Sequence, residues 1–225
     1  MTDPSPPDDD PLANTIADHV AKHVGPVTNV FHEIRPAAVH LDVLVVGPTD
    51  DRPYTTLVTC GMSERPMRVP IENPEDLGLI PELRFAELLL CLPPEWPLTP
   101  EAFRDEAHYW PVRWLKRLAR LPHQQDGWLG LGHTVPNGDP AAPLGPGVDF
   151  RGWMIDEAVL FPAELRKLRF DDRVINLYAA VPVYEEEMAV KLRKGGATLA
   201  RMFDQAKVTE LVDVSRANLG KTNPA

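Results

Sequence analysis

Histidine and carboxylate side chains occur at spacings that could support chemistry. His19 and His23 are four residues apart, so on a helix both imidazoles could reach one zinc ion. No further ligand is visible, and histidines on helix surfaces are common, so a zinc site and an ordinary helix face both remain open. His40 and Asp42 would point to the same face of a strand, which also fits a simple ion pair.

Nucleotide-binding and hydrolase motifs are absent. The sequence contains no GxxxxGK[ST], GxGxxG, GxSxG, HExxH or CxxC. Ser63 follows one glycine near a predicted strand end, which does not build the sharp turn that presents a nucleophile, so we expect a turn serine. The acidic run 185–187 would begin a helix, where it offsets the helix dipole better than it forms an acid/base pair.

Aromatic, glycine and histidine residues crowd together around the end of a strand predicted at 128–135. His133 and Thr134 end this strand, and Asn137, Gly138 and Asp139 lie in the turn after it. Loops presented by a rigid sheet often carry binding residues. A plain hairpin turn is equally consistent, because Asn-Gly tolerates positive φ and aspartate can bond to its own loop.

Composition restricts the classes of function. The chain has 225 residues, 44% hydrophobic and 25% charged, which suffices for a core. A net charge of -10 repels phosphate backbones, so we expect no nucleic-acid binding. No stretch approaches the ~20 apolar residues of a membrane span, and the N-terminus lacks signal-peptide features. Cys60 and Cys91 lie in apolar runs, which fits reduced thiols in the cytoplasm, and no cofactor is expected.

Prolines and capping residues locate the elements that would position these side chains. Asp10 before Pro11 predicts the start of a helix over 11–24. Helices are also predicted at 99–109 and 111–121, divided by Pro111, and the longest proline-free run, 183–223, should hold any long helix. The apolar face of that helical region would be Met188, Leu192, Leu199 and Phe203, interrupted by Gly195 and Gly196. Strands are predicted at 39–47, 54–60, 67–71, 84–92, 128–135, 152–160 and 174–183.

The helix over 111–121 should carry a basic face. Arg113, Lys116, Arg117 and Arg120 are spaced so that they share one side, with Trp114 and three leucines on the other. We expect this helix to lie on the sheet with its cations outward.

The order of these elements predicts one α+β domain over 11–215, with a mixed, largely antiparallel sheet flanked by helices. Residues 1–10 are acidic and proline-rich and are expected to form a disordered leader. Residues 216–225 are expected to be a flexible tail.

Five blocks of the sequence resemble the suppressor of fused domain family. They cover 54–67, 86–96, 109–122, 132–138 and 181–188, occur in one order, and together span most of 31–214. The ordered set is specific, whereas any one block would be weak. Cys60 stands where bacterial relatives often have serine, which argues against a catalytic role there.

The resemblance implies a non-enzymatic domain that binds proteins. The animal namesake captures an extended peptide that adds to its sheet, and many bacterial members look like immunity proteins that neutralise toxins. A toxin-neutralising immunity protein with a basic partner is therefore the first hypothesis. The alternatives are a hydrolase or metal-dependent enzyme near His133 and Asp139, and a regulatory scaffold that binds an extended peptide.

The loop after His133 and the strand around Trp153 are the expected counterparts of the peptide site. The candidate partner-binding residues are His133, Thr134, Asn137, Gly138, Asp139 and Trp153. Trp128 and Trp153 could each be an anchor for the partner or part of the core.

Overall fold

A mostly antiparallel sheet forms the centre of the fold. The structure is a computed structural model that describes residues 10–33, 39–70, 78 and 80–221. Within these residues eight strands pair in the order β1-β2-β3-β4-β8-β6-β5, with β7 beside β8. The strands are β1 (Val27–Phe31), β2 (Asp42–Val46), β3 (Thr55–Cys60), β4 (Phe85–Leu92), β5 (Thr134–Pro136), β6 (Gly152–Glu157), β7 (Lys167–Phe170) and β8 (Arg173–Val183). Among these eight strands only β4 and β8 pair in parallel, so the predicted α+β class with a mixed sheet is confirmed.

Helices cover both faces of the sheet. They are α1 (Pro11–His23), α2 (Ile80–Leu83), α3 (Glu106–Gln124), α4 (Glu185–Lys194) and α5 (Gly196–Ala206). Helix α3 packs on one face through a core that includes three tryptophans, Trp110, Trp114 and Trp153. Helices α1, α4 and α5 cover the opposite face around Ile16, Met188 and Phe203. Across the described part of the chain, no helix combines the length and apolar character that a membrane span requires.

Helix α3 corrects the expected break at Pro111. The helix runs unbroken for 19 residues through Pro111 and Pro122, and only a short 3-10 turn, Ala102–Arg104, precedes it. A proline inside a helix costs about 3 kcal/mol. Trp110 and Trp114 are fully buried against the sheet, and their burial offsets this loss.

The proline-free run does not hold the longest helix. Gly195 has a φ of 85° and separates α4 from α5, which have 10 and 11 residues. Leu192 was predicted on the apolar face but is 78% exposed.

Two predicted strands are wrong in extent. Residues 67–70 form no strand, because Met67 and Arg68 donate their backbone N–H groups to Arg84 and Gly127 in irregular pairings, and residue 71 lies outside the described residues. The strand predicted at 128–135 is reduced to β5, since a turn brings the N–H of His133 to the carbonyl of Gly130. Strands β1 and β7 were not predicted.

Residues near both ends of the described chain make specific hydrogen bonds. Asp10 caps α1, accepting hydrogen bonds from the N–H groups of Leu12 and Ala13, while residues 1–9 of the predicted leader lie outside the described residues. In the segment predicted as a flexible tail, Arg216 and Asn218 bond to side chains of α4. Residues 222–225 lie outside the described residues.

Candidate functional site

The strand at the predicted site is β5, which ends the strand order beside β6. The carbonyl of His133 accepts a hydrogen bond from the N–H of Ile155 at 2.9 Å, and the N–H of Asn137 donates to Arg151 at 2.8 Å. In an antiparallel pair, every second residue directs its backbone N–H and C=O toward the neighbouring strand. Val135 lies midway between His133 and Asn137, so it also directs its backbone groups toward β6. Thr134 and Pro136 therefore direct their backbone groups outward.

Thr134 is the residue on this edge that offers both a donor and an acceptor. Proline has no N–H, so Pro136 contributes only a carbonyl. The register of β5 with β6 places the N–H and C=O of Thr134 on the side of the strand away from β6. An unpaired strand edge of this kind is a template on which another chain can pair.

Concave surfaces lie beside β5. On the α3 side, Val135, Pro136 and Gly138 line a cavity of about 340 Å³ together with the residues Trp114, Arg117, Leu118, Leu121 and Gln125 of the α3 region. Near the start of β5, Leu131 and Gly132 border a groove of about 590 Å³ that runs along α5. A strand added to β5 would alternate its side chains between the two faces of the sheet.

His133 is half-buried and packs its ring against Trp128, with the ring centroids 4.4 Å apart. Burial lowers the pKa of His133, and the ammonium group of Lys191 lowers it further, against a hydrogen bond to the backbone of Trp128. The imidazole is therefore neutral at pH 7.

In the loop after β5, one candidate residue holds the loop together and two are exposed to solvent. The side-chain amide of Asn137 donates to the carbonyl of Pro143 at 2.7 Å, and its own carbonyl accepts from the N–H of Ala142. Asn137 therefore closes the loop. Gly138, with a φ of 91°, and Asp139 are exposed at its tip.

Trp153 lies in the core. Its side chain is 0% exposed, and its ring packs 5.9 Å from that of Trp110 and 6.4 Å from that of Trp114. It cannot contact a partner directly, although it supports Val135 from the paired strand. Trp128 is only partly buried at the rim of the same core.

The basic face of α3 lies at the surface, as expected, but most of its cations are paired within the protein. Arg113 bonds to Glu106 at 2.5 Å, Arg120 pairs with Glu33, and Lys116 reaches the carbonyl of Phe31. Arg117 is exposed and lies over the ring of Trp114 at 4.5 Å.

Ser63 is fully buried and is not presented as a nucleophile. Its hydroxyl donates to Glu87 at 2.6 Å, and the same carboxylate accepts from the hydroxyl of Thr59 and the N–H groups of Gly61 and Ser63. Burial raises the pKa of Glu87 in spite of these bonds. This network, which the sequence did not reveal, holds together the end of β3 and the middle of β4.

The other candidate histidines contact groups within the protein. The ring of His19 lies 4.6 Å from that of His23 and bonds to the carbonyl of Leu165, while His40 and His32 both contact Asp42. Nowhere in the described ranges do three His, Cys, Asp or Glu side chains gather closely enough to hold a metal ion. No hydrogen bond or ion pair between described residues joins His133 to Asp139.

Comparisons with known proteins agree with this architecture. The model of the family described as Suppressor of fused protein (SUFU) matches residues 37–217. The chain therefore belongs to the suppressor of fused family. No curated protein sequence matches it.

Solved structures share the fold. A suppressor of fused homologue from Neisseria gonorrhoeae FA 1090 has a TM-score of 0.64 at 18% identity, over 92% of this chain and 96% of that one. A Sufu-Fu complex structure gives 0.62 at 13% identity, over 94% and 93%. Drosophila Suppressor of Fused gives 0.60 at 11%, over 93% of this chain but only 50% of that protein.

Proposed function

We propose that this protein is a non-enzymatic binding module that captures an extended segment of a protein partner at β5. The observation that carries the proposal is the outward N–H and C=O of Thr134 on an open edge of the sheet. Strand addition of this kind obtains affinity from main-chain hydrogen bonds and specificity from pockets that receive alternate side chains.

The surroundings of β5 suit this mode. Side chains on one face of an added strand would meet the cavity beside α3, where the partly buried Leu121 and Val135 provide apolar contact. Thr134, Gly138 and Asp139 would contact the partner directly, with His133 beside them. Asn137 and Trp153 would act by holding the loop and β6 in place.

Family membership supports a protein partner, because one structurally similar protein was solved as the Sufu-Fu complex. The net charge of -10 favours a partner that is basic at the contact, since opposite charge accelerates association. We assign the protein to the immunity type, which neutralises a toxin in the cytoplasm by covering it.

Two substitutions at one position test the mode of binding. Thr134→Pro removes the outward N–H without removing a hydrogen bond to β6, whereas Thr134→Val changes the side chain and keeps the donor. Tagged wild-type protein first isolates partners from the native cell. Each partner is then expressed alone and together with the wild type or either variant.

We expect a captured protein that arrests growth when expressed alone and is neutralised by the wild type and Thr134→Val but not by Thr134→Pro. A partner without toxicity would contradict the immunity role. Equal binding by folded Thr134→Pro would contradict strand addition at β5.

A further inference from the structure

A second concave surface, the groove along α5, lies on the sheet face opposite α3. It measures about 590 Å³ and is bounded by α5, the end of β6 and the segment 207–210. Gly196, Ala197 and Ala200 line the groove on the α5 side, and a Cβ at Gly196 would lie 3.3 Å from the carbonyl oxygen of Gly132. The groove is thus formed by regular elements on two of its sides.

Apolar side chains line this groove and remain in contact with solvent at its rim. Leu131 and Val159 are 50% and 53% exposed, which is unusual for large aliphatic residues in this protein. Met154, Val181 and Phe203 form the buried floor between them. An apolar rim and floor of this kind are typical of a surface that a partner covers.

The charges in the groove are mainly negative. Glu157 pairs with Arg166 at 2.5 Å, and Glu210 accepts hydrogen bonds from the N–H groups of Val159 and Leu160. Asp156 differs from these two in its hydrogen bonding. Its carboxylate accepts a hydrogen bond from the N–H of the adjacent Glu157 at 2.8 Å. Burial raises the pKa of Asp156. No described cation forms an ion pair with Asp156.

We propose that this groove binds a segment of the protein partner in which a lysine or arginine lies beside an aliphatic residue. The cation would meet Asp156, and the aliphatic side chain would cover Leu131 and Val159. This proposal rests on the proposed function, and it adds the chemistry of the segment that is recognised. The groove is also continuous with β5, because Leu131 and Gly132 lead directly into that strand.

Amide shifts of the ¹⁵N-labelled protein test the groove with defined probes. The probes are a short peptide of alternating valine and arginine and its valine–glutamate counterpart. We expect the basic peptide to shift the amides of Gly132, Glu157, Val159 and Ala200, and the acidic peptide to leave them unchanged.

Two pairs of variants make the assignment specific. Asp156→Asn should weaken binding of the basic peptide at least ~10-fold, whereas Glu101→Gln, an exposed carboxylate before α3, should not. Ala200→Phe should fill the groove and block binding, while the same substitution at Ala206, an exposed residue of α5 outside the groove, should not.

Three results would overturn the proposal that the groove binds a basic segment. They are equal binding by wild type and Asp156→Asn, equal shifts with the acidic peptide, and no shift at about 1 mM peptide. Shifts confined to 134–137 would overturn it and leave strand addition at β5 standing. Shifts confined to the groove would support binding in the groove and would contradict strand addition at β5.

Discussion

Arg216 and Glu187 form a two-bond ion pair that is almost completely withdrawn from solvent. The guanidinium donates to the two carboxylate oxygens at 2.6 and 2.7 Å, and the side chains are 9% and 0% exposed. Glu187 also accepts the backbone N–H of Tyr184 at the start of α4, and Arg216 donates to the carbonyl of Pro182 at the end of β8. The pair therefore joins the C-terminal segment to both β8 and α4.

Arg216→Ala should destabilise the fold by about 3–5 kcal/mol, because it leaves the charge of Glu187 buried without a positive charge beside it. It also removes contacts of the guanidinium with the rings of Phe150, Tyr184 and Phe203. Urea unfolding measures the change. Arg201→Ala, on the exposed side of α5, is the control and should cost less than about 0.5 kcal/mol. Equal losses in the two variants would contradict this role.

Asp10→Ala should lower the free energy of unfolding by about 1 kcal/mol, since the carboxylate caps α1 through the N–H groups of Leu12 and Ala13. Thermal unfolding detects this loss. Asp18→Ala, at an exposed position of the same helix, should be close to neutral. Deletion of residues 1–9 should also be neutral, because their composition offers nothing to a core. A deletion that melts several degrees lower would show that these residues contribute to stability.

The sequence predicted the elements whose signals are local. The cap at Asp10, the apolar run of β4 and the β-prone runs of β2 and β3 all lie where expected, because capping and strand propensity are properties of short segments. The continuity of α3 could not be predicted in this way, since it depends on burial of Trp110 against distant strands. The parallel pairing of β4 with β8 is likewise a matter of tertiary packing.

His133→Phe should flatten part of the dependence of stability on pH. The pKa of His133 lies below its ordinary value of 6.5, so as pH falls below about 6.5 the unfolded chain takes up a proton that the folded chain resists. The free energy of unfolding contributed by this site therefore decreases as pH falls. Phenylalanine keeps an aromatic contact with Trp128 and cannot titrate.

Urea unfolding of wild type and His133→Phe between pH 7.5 and about 5 compares the two slopes. The difference between the proteins cancels the opposite contributions of Glu87 and Glu210, whose pKa values are raised by burial. Parallel profiles would show that His133 does not resist protonation in the folded state.

Association with the partner should slow markedly when salt is raised from about 50 to 500 mM, because the screening length falls about threefold. The net charge of -10 predicts attraction to a basic partner at long range. Stopped-flow or biosensor association rates give the measurement. A rate that does not change with salt would contradict a basic partner.

The proposed site could be predicted only in part. The polar residues after β5 stand out in the sequence, but which of them face outward depends on the register between β5 and β6. Asn137 is a residue type typical of binding loops, but its side-chain amide donates a hydrogen bond to the carbonyl of Pro143 within the protein. The groove along α5 was not predicted, because Leu131, Asp156 and Ala200 meet only in the folded protein.

Hydrogen exchange at Thr134 tests strand addition most directly. Its N–H faces away from the sheet, whereas the N–H of Val135 faces β6, so the two neighbouring amides report separately on the outer and inner sides of one strand. When the partner binds, exchange at Thr134 should slow at least ~10-fold, equivalent to about 1.4 kcal/mol of added protection. The Val135 amide should already be protected in the free protein. Unchanged exchange at Thr134 in a fully bound complex would contradict capture of the partner at β5.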